Sequence, residues 1–481
     1  MAGVGVRLNK IYSKNSIIAD LWGFGYSSMI TIAPMVVVIA AVIIMQLLVG
    51  YASYGYAARE LYSCTVLYIF IFALLTASPF NAVLSRYLSD VIYEERYDHI
   101  MPCYYIGLFL NVLLSAPLGA VFCVHEYYVG KVDALYVFAG FFGYILLMFV
   151  FYTMLYLSIC KEYGRISLFF VCGMTLSVLM AVILARLFKV DVAFAMLVSL
   201  DLGFLLTGSL EFAQVKSYFR ENSGEYRNVL AYFKKYWQLV FTNFLYTLGL
   251  YIHNFVFWST DMHMIVRKSF VSMQTYDMAT CLAMFTNISA TVIFISRVEM
   301  HFHERYRMYS EAVIGGRGID IEKNKKRMFE QLTDELMNLV RIQFIVSVVI
   351  FLFCTIFLPR LGFGGMVMKI YPCLAAGYFV LFLMYAEIIF LYYYNDLNGS
   401  LFTSLIFVCV TFVFALWGTT LPPVWYGIGP MAGSIAAFIY AYFRLRYIER
   451  ELDYHIFCNG KLMEKGEGSR PSNKVFERNA G

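Results

Sequence analysis

Long apolar segments are the feature of this sequence that most restricts its fold. A helix needs about 20 mostly apolar residues to cross the hydrocarbon core of a bilayer. Twelve segments of the chain meet that requirement, at residues 27–49, 62–84, 103–124, 134–157, 166–185, 192–212, 236–258, 278–296, 342–359, 370–394, 401–420 and 424–443. The sequence therefore predicts an all-α integral membrane protein with about twelve transmembrane helices.

Composition excludes most other classes of protein. Hydrophobic residues make up 61% of the chain and charged residues only 14%, whereas roughly 25% of a soluble domain is charged. A net charge of +5 is too small to indicate a nucleic-acid-binding protein. The ten cysteines show no CxxC pair and no metal-ligand spacing. We expect no metal, no cofactor and no nucleic-acid partner.

The distribution of Lys and Arg predicts the orientation, because cytoplasmic loops are enriched in both. With the N-terminus in the cytoplasm, 29 of the 37 Lys and Arg residues fall on the cytoplasmic side and 8 on the opposite side. This bias requires an even number of spans. Both termini are therefore predicted to be cytoplasmic.

The spacing of the spans divides the chain near its middle. A cytoplasmic, amphipathic N-terminal segment (1–26) precedes six spans (27–212), and a cytoplasmic linker (213–235) separates them from six more (236–443). A cytoplasmic tail follows (444–481). This layout is typical of transporters built from two repeated halves, although the sequence itself shows no internal repeat. We expect two six-helix bundles.

The longest loop, 298–341, lies within the second half. Gly315, Gly316 and Gly318 divide it into two predicted helical pieces. Apolar residues recur at helical spacing in the second piece, at Met328, Leu332, Leu336 and Leu339. A basic cluster stands near its start, at Lys323, Lys325, Lys326 and Arg327. Two interpretations are open: an amphipathic helix that lies among lipid headgroups on the cytoplasmic surface, or a docking surface for a cytoplasmic partner.

Charged residues within spans are expensive in lipid and are candidates for a functional site. Asp201 lies in the middle of the sixth span and Glu387 in the tenth. Each could bind a proton or cation, bond to sugar hydroxyls, or make a structural hydrogen bond between helices. Glu211 is nearer the end of its span, and we expect an interfacial carboxylate there.

Neutral polar residues within spans are further candidates for a substrate path or for helix–helix contacts. They are Asn111, His253, Asn254 and Asn287. Arg86 and Asp90 are four residues apart at the end of the second span, so they share a helix face. The pair is predicted to form an ion pair at the helix end, with a cytoplasmic gate contact as the alternative.

Sequence motifs point away from catalysis. The chain has no GxxxxGK[ST] phosphate-binding loop. The two histidines of HFHE at 301–304 are two residues apart and do not share a helix face. No catalytic arrangement of side chains can be assigned, and we expect a protein that is not an enzyme.

Four segments in order resemble the PelG family, the membrane transporters of the Pel exopolysaccharide machinery. They are MAGVGVRLNKI at the N-terminus, YSSMITIAP (26–34), SRYLSDVIYEE (85–95) and HFHERYRMYSEAVIGGRGIDIE (301–322), which Gln343 follows at a similar distance. The resemblance extends from residue 1 to about 450. Ala33 stands where the family often has Gly, and residues beyond 455 have no counterpart in the family pattern.

The resemblance implies a twelve-helix exporter of the multidrug/oligosaccharidyl-lipid/polysaccharide (MOP) superfamily in the inner membrane of a bacterium. Its substrate would be an amino-sugar-rich exopolysaccharide of the biofilm matrix. Its partners would be a cytosolic glycosyltransferase and membrane scaffold proteins. A flippase for lipid-linked oligosaccharide, or a cation-coupled small-molecule antiporter of the same architecture, is the alternative.

Overall fold

The computed structural model describes residues 17–160, 162–287, 299–361 and 364–457, and these residues are helical almost throughout. A short antiparallel hairpin, β1 (Met264–Val266) and β2 (Phe270–Ser272), follows the eighth of their helices. The α-helices are α1 (Ile17–Val49), α2 (Tyr56–Tyr93), α3 (Ile100–Tyr128), α4 (Ala134–Ile159), α5 (Tyr163–Val182), α6 (Val192–Tyr218), α7 (Tyr226–Lys235), α8 (Trp237–Trp258), α9 (Gln274–Asn287), α10 (Glu299–Gly315), α11 (Gly318–Phe357), α12 (Met366–Tyr393), α13 (Leu397–Gly418) and α14 (Ile428–Phe457).

Ten of the described helices are long and apolar enough to cross a membrane. The remaining two predicted spans, the first and the eighth, correspond to α1 and α9. A further apolar helix, Ala33–Val49, lies within α1. The predicted eighth span, 278–296, begins in α9 and continues beyond the described residues after Asn287. An all-α membrane fold with about twelve spans is thus confirmed.

Successive long helices run in opposite directions, so the loops collect at two ends of the molecule. The end that holds loops 94–99, 219–225 and 394–396 is called the linker end. The end that holds loop 50–55 and the β-hairpin is called the hairpin end. At the linker end, the Ser223 amide donates to the Asp98 carbonyl over 3.0 Å. At the hairpin end, the Tyr56 hydroxyl contacts the Met264 sulfur.

Apolar packing separates the chain into a first half, α1–α7, and a second half, α8–α14 with the hairpin. Buried apolar residues of α1–α7 form one cluster, which Val266 and Phe270 of the hairpin join. Those of α8–α14 form two other clusters, one of which Ile71 of α2 joins. Contacts between the two parts are made chiefly by α2 and α8.

Helices approach closely where small residues meet, as is common in membrane proteins. At the crossing of α5 and α6, Gly173 faces Gly203. A methyl group added to Gly203 would lie 2.7 Å from the carbonyl oxygen of Gly173, closer than van der Waals contact allows. This crossing therefore depends on the missing side chains.

The long loop of the second half differs from the prediction. α10 ends at Gly315 and α11 begins at Gly318, at the predicted break, but α11 then continues for 40 residues into the ninth span. Neither Gly nor Pro occurs in the rest of α11 to interrupt it. The second piece is therefore the first half of a spanning helix.

The apolar residues at the start of α11 pack against the protein itself. Met328, Leu332 and Leu339 are buried with Tyr394 and Ile448 in one cluster, and Leu336 is partly buried beside them. The predicted contact of this stripe with lipid headgroups is therefore wrong. Its partners are Tyr309 of α10 and residues of α12 and α14 that lie more than 40 residues away in sequence, so helical periodicity alone could not identify them.

The last helix also extends beyond its predicted span. α14 continues to Phe457, so residues 444–457, predicted as tail, are helical. The rest of the tail and residues 1–16 of the N-terminal segment lie outside the described residues.

Candidate functional site

Aromatic side chains form the contact between the two halves along α2 and α8. Tyr68 stacks on Trp258 with ring centroids 5.1 Å apart and an interplanar angle of 8°. Phe72 stacks on Phe255 at 5.9 Å and 12°. These pairs lie toward the hairpin end, and polar contacts take over toward the linker end.

Arg86 carries the polar contact at the linker end. Its Nη1 donates to Asn395 Oδ1 over 2.8 Å, and its guanidinium lies 4.2 Å from the ring centroid of Tyr236. Asp90 instead accepts from the Tyr232 hydroxyl over 3.1 Å. No salt bridge joins Arg86 to Asp90, so the predicted ion pair at the helix end is absent. Arg86 therefore bonds to the second half of the chain, where its acceptor Asn395 lies.

Tyr232 lies on α7, outside the spans, and its neutral hydroxyl donates the hydrogen bond to Asp90. Burial and the neighbouring Asp90 carboxyl raise the pKa of the Tyr232 phenol well above its ordinary value. The hydroxyl therefore keeps its proton at physiological pH, and the contact between α2 and α7 is a hydrogen bond rather than a charge pair.

A bidentate salt bridge positions Asn395, the acceptor for Arg86. The adjacent Asp396 accepts from Arg444 Nε over 2.5 Å and from Arg444 Nη2 over 3.1 Å. Asp396 also caps α13 by accepting from the Gly399 amide over 3.2 Å. The loop that meets Arg86 is therefore fixed from behind by α13 and α14.

At the hairpin end, a polar cavity lies between the two halves. Its volume is about 480 Å³, and α1 and α2 line one side of it while α9 lines the other. This volume falls within the roughly 300–1,000 Å³ of small-molecule sites. The lining residues are Gln46, Tyr51, Arg59, Glu60, Ser63, Cys64, Leu67, Ser272, Gln274, Asp277, Met278 and Cys281.

Asp277 is the most heavily bonded group of this cavity. Its carboxyl accepts from Asn254 Nδ2 over 2.7 Å, from Trp258 Nε1 over 3.0 and 3.1 Å, and from the Met273 amide over 3.2 Å. These bonds join the end of α8 to the start of α9. They fix the second half's side of the cavity.

Glu60 and Arg59 lie on the opposite side, in the first turns of α2. Glu60 is 8% exposed, and it makes no hydrogen bond or salt bridge with any described residue. The Arg59 Nε is buried and has no hydrogen-bond partner. Buried polar groups are normally satisfied, so the Arg59 Nε is available for a contact that no described residue supplies.

A second contact between the halves closes the hairpin end beside α3. Ser269 of the hairpin donates to the buried carboxyl of Glu126 on α3. His125 Nδ1 lies 3.5 Å from the other carboxyl oxygen of Glu126. The hairpin is therefore tied to the first half by a polar bond, although it belongs to the second half in sequence.

An apolar cavity of about 460 Å³ lies between α2, α3 and α4, and Phe244 of α8 and Phe270 of β2 complete its lining from the second half. Aromatic rings dominate its lining, among them Tyr68, Phe72, Phe122, Phe141 and Phe270. Such a lining suits hydrocarbon rather than a polar sugar. It is a poor path for a glycan.

The predicted carboxylates Asp201 and Glu387 lie in different halves, and neither lines the two cavities above. Asp201 on α6 is buried against α4, where a side chain on Gly143 would clash with its carboxyl group. One oxygen of each carboxyl has no hydrogen-bond partner. The Glu211 side chain is fully buried, with both oxygens unpartnered, so the predicted interfacial position is wrong.

Three of the four predicted neutral polar residues make bonds between helices, and Asn111 bonds within its own helix. Asn111 donates to the Gly107 carbonyl of its own helix over 2.8 Å. His253 lies between the hydroxyls of Tyr276 and Tyr378, at 2.8 and 3.4 Å. The other two link neighbouring helices: Asn254 bonds Asp277, and Asn287 donates to the Ala375 carbonyl over 3.0 Å and accepts from Ser347 over 2.7 Å.

The basic cluster at the start of α11 borders an open groove of about 910 Å³ at the linker end. Lys325 and Lys326 line it together with Glu330, Arg446 and Glu449. Lys323 and Arg327 are exposed on the same helix. The groove carries both signs of charge and is shared by α11 and α14.

Sequence reasoning missed Arg59, Glu60 and Asp277. They stand one to three residues outside the predicted spans 62–84 and 278–296, where charged residues normally meet the lipid headgroups. The adjacent Arg-Glu pair at the start of a span was the one available signal. The Arg-Glu pair becomes part of a cavity only because α9 lies close to α2 in the fold.

The geometry can be compared with solved structures. An inward-facing MATE family transporter of the MOP superfamily superposes with a TM-score of 0.58 at 13% identity, covering 88% of this chain and 96% of that one. An outward-facing form gives 0.60 at 15%, covering 87% and 94%. A MOP superfamily transporter from Pyrococcus furiosus Vc1 (DSM3638), described by the reverse polarity of its binding pocket, gives 0.60 at 14%, covering 89% and 96%. At these identities the likeness establishes the fold.

Sequence comparison establishes the family. No curated protein matches the chain. The family profile described as "PelG: Putative exopolysaccharide Exporter (EPS-E)" matches residues 1–457, and this range includes all four segments that resemble the family. Because it covers more than half of the chain, this match shows that the chain belongs to the PelG family of exopolysaccharide exporters.

Proposed function

We propose that this protein exports a Pel-type, amino-sugar-rich exopolysaccharide across the bacterial cytoplasmic membrane during synthesis of the biofilm matrix. The single observation that carries the proposal is the family match over residues 1–457. The glycan passes between the two halves, by alternating access or along a hydrated path. It is not chemically changed on the way.

The contacts between the halves support a path that opens and closes. Arg86 joins the halves at the linker end through one hydrogen bond and one ring contact. Ser269 and Glu126 join them at the hairpin end, where the Tyr68 hydroxyl also bonds the backbone of Val271. Small sets of polar contacts can be exchanged at low cost, as alternating access requires. In this proposal Arg86 is a gate residue.

The orientation follows from the loop charges. The linker end carries the loops that are rich in Lys and Arg, so we place it in the cytoplasm together with both termini. The hairpin end then faces away from the cytoplasm. Growing polymer enters at the linker end and leaves at the hairpin end.

Deleting the gene in a host that makes the polymer tests this function. We expect secreted polymer to be lost in the deletion strain and restored by the wild-type chain on a plasmid. A matched strain lacking an unrelated membrane transporter is the control for general envelope damage. Normal secretion after the deletion would overturn the proposal.

The mixed-charge groove at the start of α11 supports a partner on the cytoplasmic side. We propose that Lys323, Lys325, Lys326 and Arg327 dock a cytosolic glycosyltransferase or its membrane scaffold. Charge reversal at the three lysines should weaken co-purification with the synthase, because it reverses the sign of the charge that this surface presents to a partner. Reversal of the exposed Lys216, Arg220 and Arg227 is the matched control. Unchanged co-purification in the first variant would exclude this surface.

Buried, unpartnered carboxyls favour a second candidate, a cation-coupled transporter of the same superfamily. Asp201 and Glu387 each keep one oxygen without a partner, as a proton or cation site would. Efflux of a dye driven by a sodium or proton gradient, and abolished by Asp201→Asn, would favour this function. A chain that secretes polymer but drives no such efflux would rule it out.

A further inference from the structure

The polar cavity at the hairpin end contains groups that no described residue satisfies. Glu60 is 8% exposed and makes no hydrogen bond with any described residue. The Arg59 Nε is buried and unpartnered. A buried guanidinium nitrogen without a partner is costly, and the Glu60 carboxyl beside it opens onto the cavity. The Arg59 Nε therefore indicates that something else binds there, within reach of a free acceptor.

The two groups that remain available for hydrogen bonding are of opposite charge. The cavity contains the carboxylates of Glu60 and Asp277 and the guanidinium of Arg59. The oxygens of Asp277 are already occupied by Asn254, Trp258 and the Met273 amide. The available acceptor and the available donor are thus Glu60 and Arg59, of opposite sign. This pair suits a neutral ligand whose groups both donate and accept, as hydroxyls and acetamides do.

The remaining lining agrees with a sugar. Ser63 and Ser272 contribute hydroxyls, and Gln46 and Gln274 contribute amides. Leu67 and Met278 provide apolar surface for the C–H face of a pyranose ring. The amides come from α1 and α9, so a ring bound here touches both halves of the protein.

We propose that this cavity is a binding subsite for a neutral N-acetylhexosamine unit of the exported glycan, with Glu60 as hydrogen-bond acceptor and Arg59 as donor. The subsite deepens the proposed function and rests on it, since the hairpin end is then the exit side. The subsite holds one sugar unit of the glycan while the two halves of the protein move relative to each other. Asp277 positions the side of the cavity formed by α9.

Photo-crosslinking in cells that secrete the polymer tests the subsite with the natural glycan as the probe. Benzoylphenylalanine replaces Gln274 at the rim of the cavity, in the full-length protein. The matched control places it at Tyr128, which is exposed at the same end but lies outside the cavity. We expect the purified protein to carry covalently attached glycan after irradiation at position 274 and not at position 128.

Substitution of Glu60 then identifies the group responsible. Glu60→Gln should lower the yield of crosslinked glycan about tenfold, the effect of losing one hydrogen bond to a charged group, and Glu60→Asp should restore part of it. If Glu60→Gln fails to reach the membrane, Arg59→Gln tests the same subsite from the donor side. Secretion is measured in parallel.

The outcomes separate the subsite from the proposed function. Equal crosslinking at positions 274 and 128, no crosslinking at 274 during normal secretion, or a full yield in Glu60→Gln would each overturn the subsite and leave export standing. Normal secretion in the deletion strain would overturn export itself. Crosslinking at 274 that depends on Glu60 supports both.

Discussion

Replacing Arg86 by alanine should open the linker end. The substitution removes the 2.8 Å hydrogen bond to Asn395 and the 4.2 Å contact with the Tyr236 ring. Both partners belong to the linker or to the second half, so the loss acts between the halves. The core of neither half is changed.

The magnitude follows from these two contacts. A hydrogen bond from a charged donor contributes about 1.5–3 kcal/mol, and a cation–π contact at a partly exposed site contributes about 0.5–1 kcal/mol. Because Arg86 is half-buried, solvent screening favours the lower values, and about 2 kcal/mol is a fair total. That shifts the ratio of closed to open molecules about thirtyfold.

Pulsed electron–electron spin resonance can measure this shift directly. Spin labels on encoded keto amino acids at Ser89 and Asn398, both exposed at the linker end, leave the ten native cysteines in place. In nanodiscs we expect Arg86→Ala to add a population at longer distances. Arg86→Lys should give a smaller shift, since lysine keeps the charge but not the planar contact with Tyr236.

Arg96→Ala is the matched control. Arg96 also lies at the linker end, but its guanidinium pairs with Glu94 of the same loop. Its removal should leave the distance distribution unchanged. A distribution for Arg86→Ala that equals the wild type would refute the assignment of Arg86 as a contact that holds the halves together.

Three further predictions concern stability and are measured by thermal unfolding of the purified protein. Asp277→Ala should cost about 3–5 kcal/mol, because it leaves the buried N–H groups of Asn254, Trp258 and Met273 unpaired; the exposed Asp261→Ala is its control, and equal effects would contradict this reasoning. Gly203→Ala should cost about 1–3 kcal/mol through the clash with Gly173, whereas Gly164→Ala, with nothing within 4 Å of the added methyl, should be neutral or slightly stabilising. Asp396→Ala should cost about 3 kcal/mol, since it leaves Arg444 without its partner and α13 without its cap; a loss no larger than that of the exposed Asp334→Ala would show that the pair is dispensable.

Hydropathy was sufficient to locate the spans but not to identify the helices that pack against them. The apolar segments found the membrane helices because lipid requires a fixed length of apolar chain. The same rule could not show that α11 begins 24 residues before its predicted span at 342, because the polar half of that helix is stabilised by packing against α12 and α14. Tertiary contacts therefore determine the length of α11.

The candidate site was harder to predict for the same reason. Arg86 and Asp90 share a helix face, yet their partners, Asn395 and Tyr232, come from distant parts of the chain. Glu60 and Asp277 stand at span ends that are more than 200 residues apart, and only the fold brings them to one cavity. Periodicity reports which residues share a face and is silent about what that face meets.

The continuous helix α11 has a mechanical consequence. At 1.5 Å per residue its 40 residues measure about 60 Å, twice the roughly 30 Å of the hydrocarbon core, so about half of it projects from the bilayer as a stiff arm. A change of about 10° in the tilt of the span would displace the far end of α11 by about 5 Å, together with the ends of α12 and α14 that pack against it. A protein bound to the basic start of α11 would be displaced by each change in the tilt of this helix in the membrane. By holding the start of α11 in place, such a protein would oppose the tilting of the span.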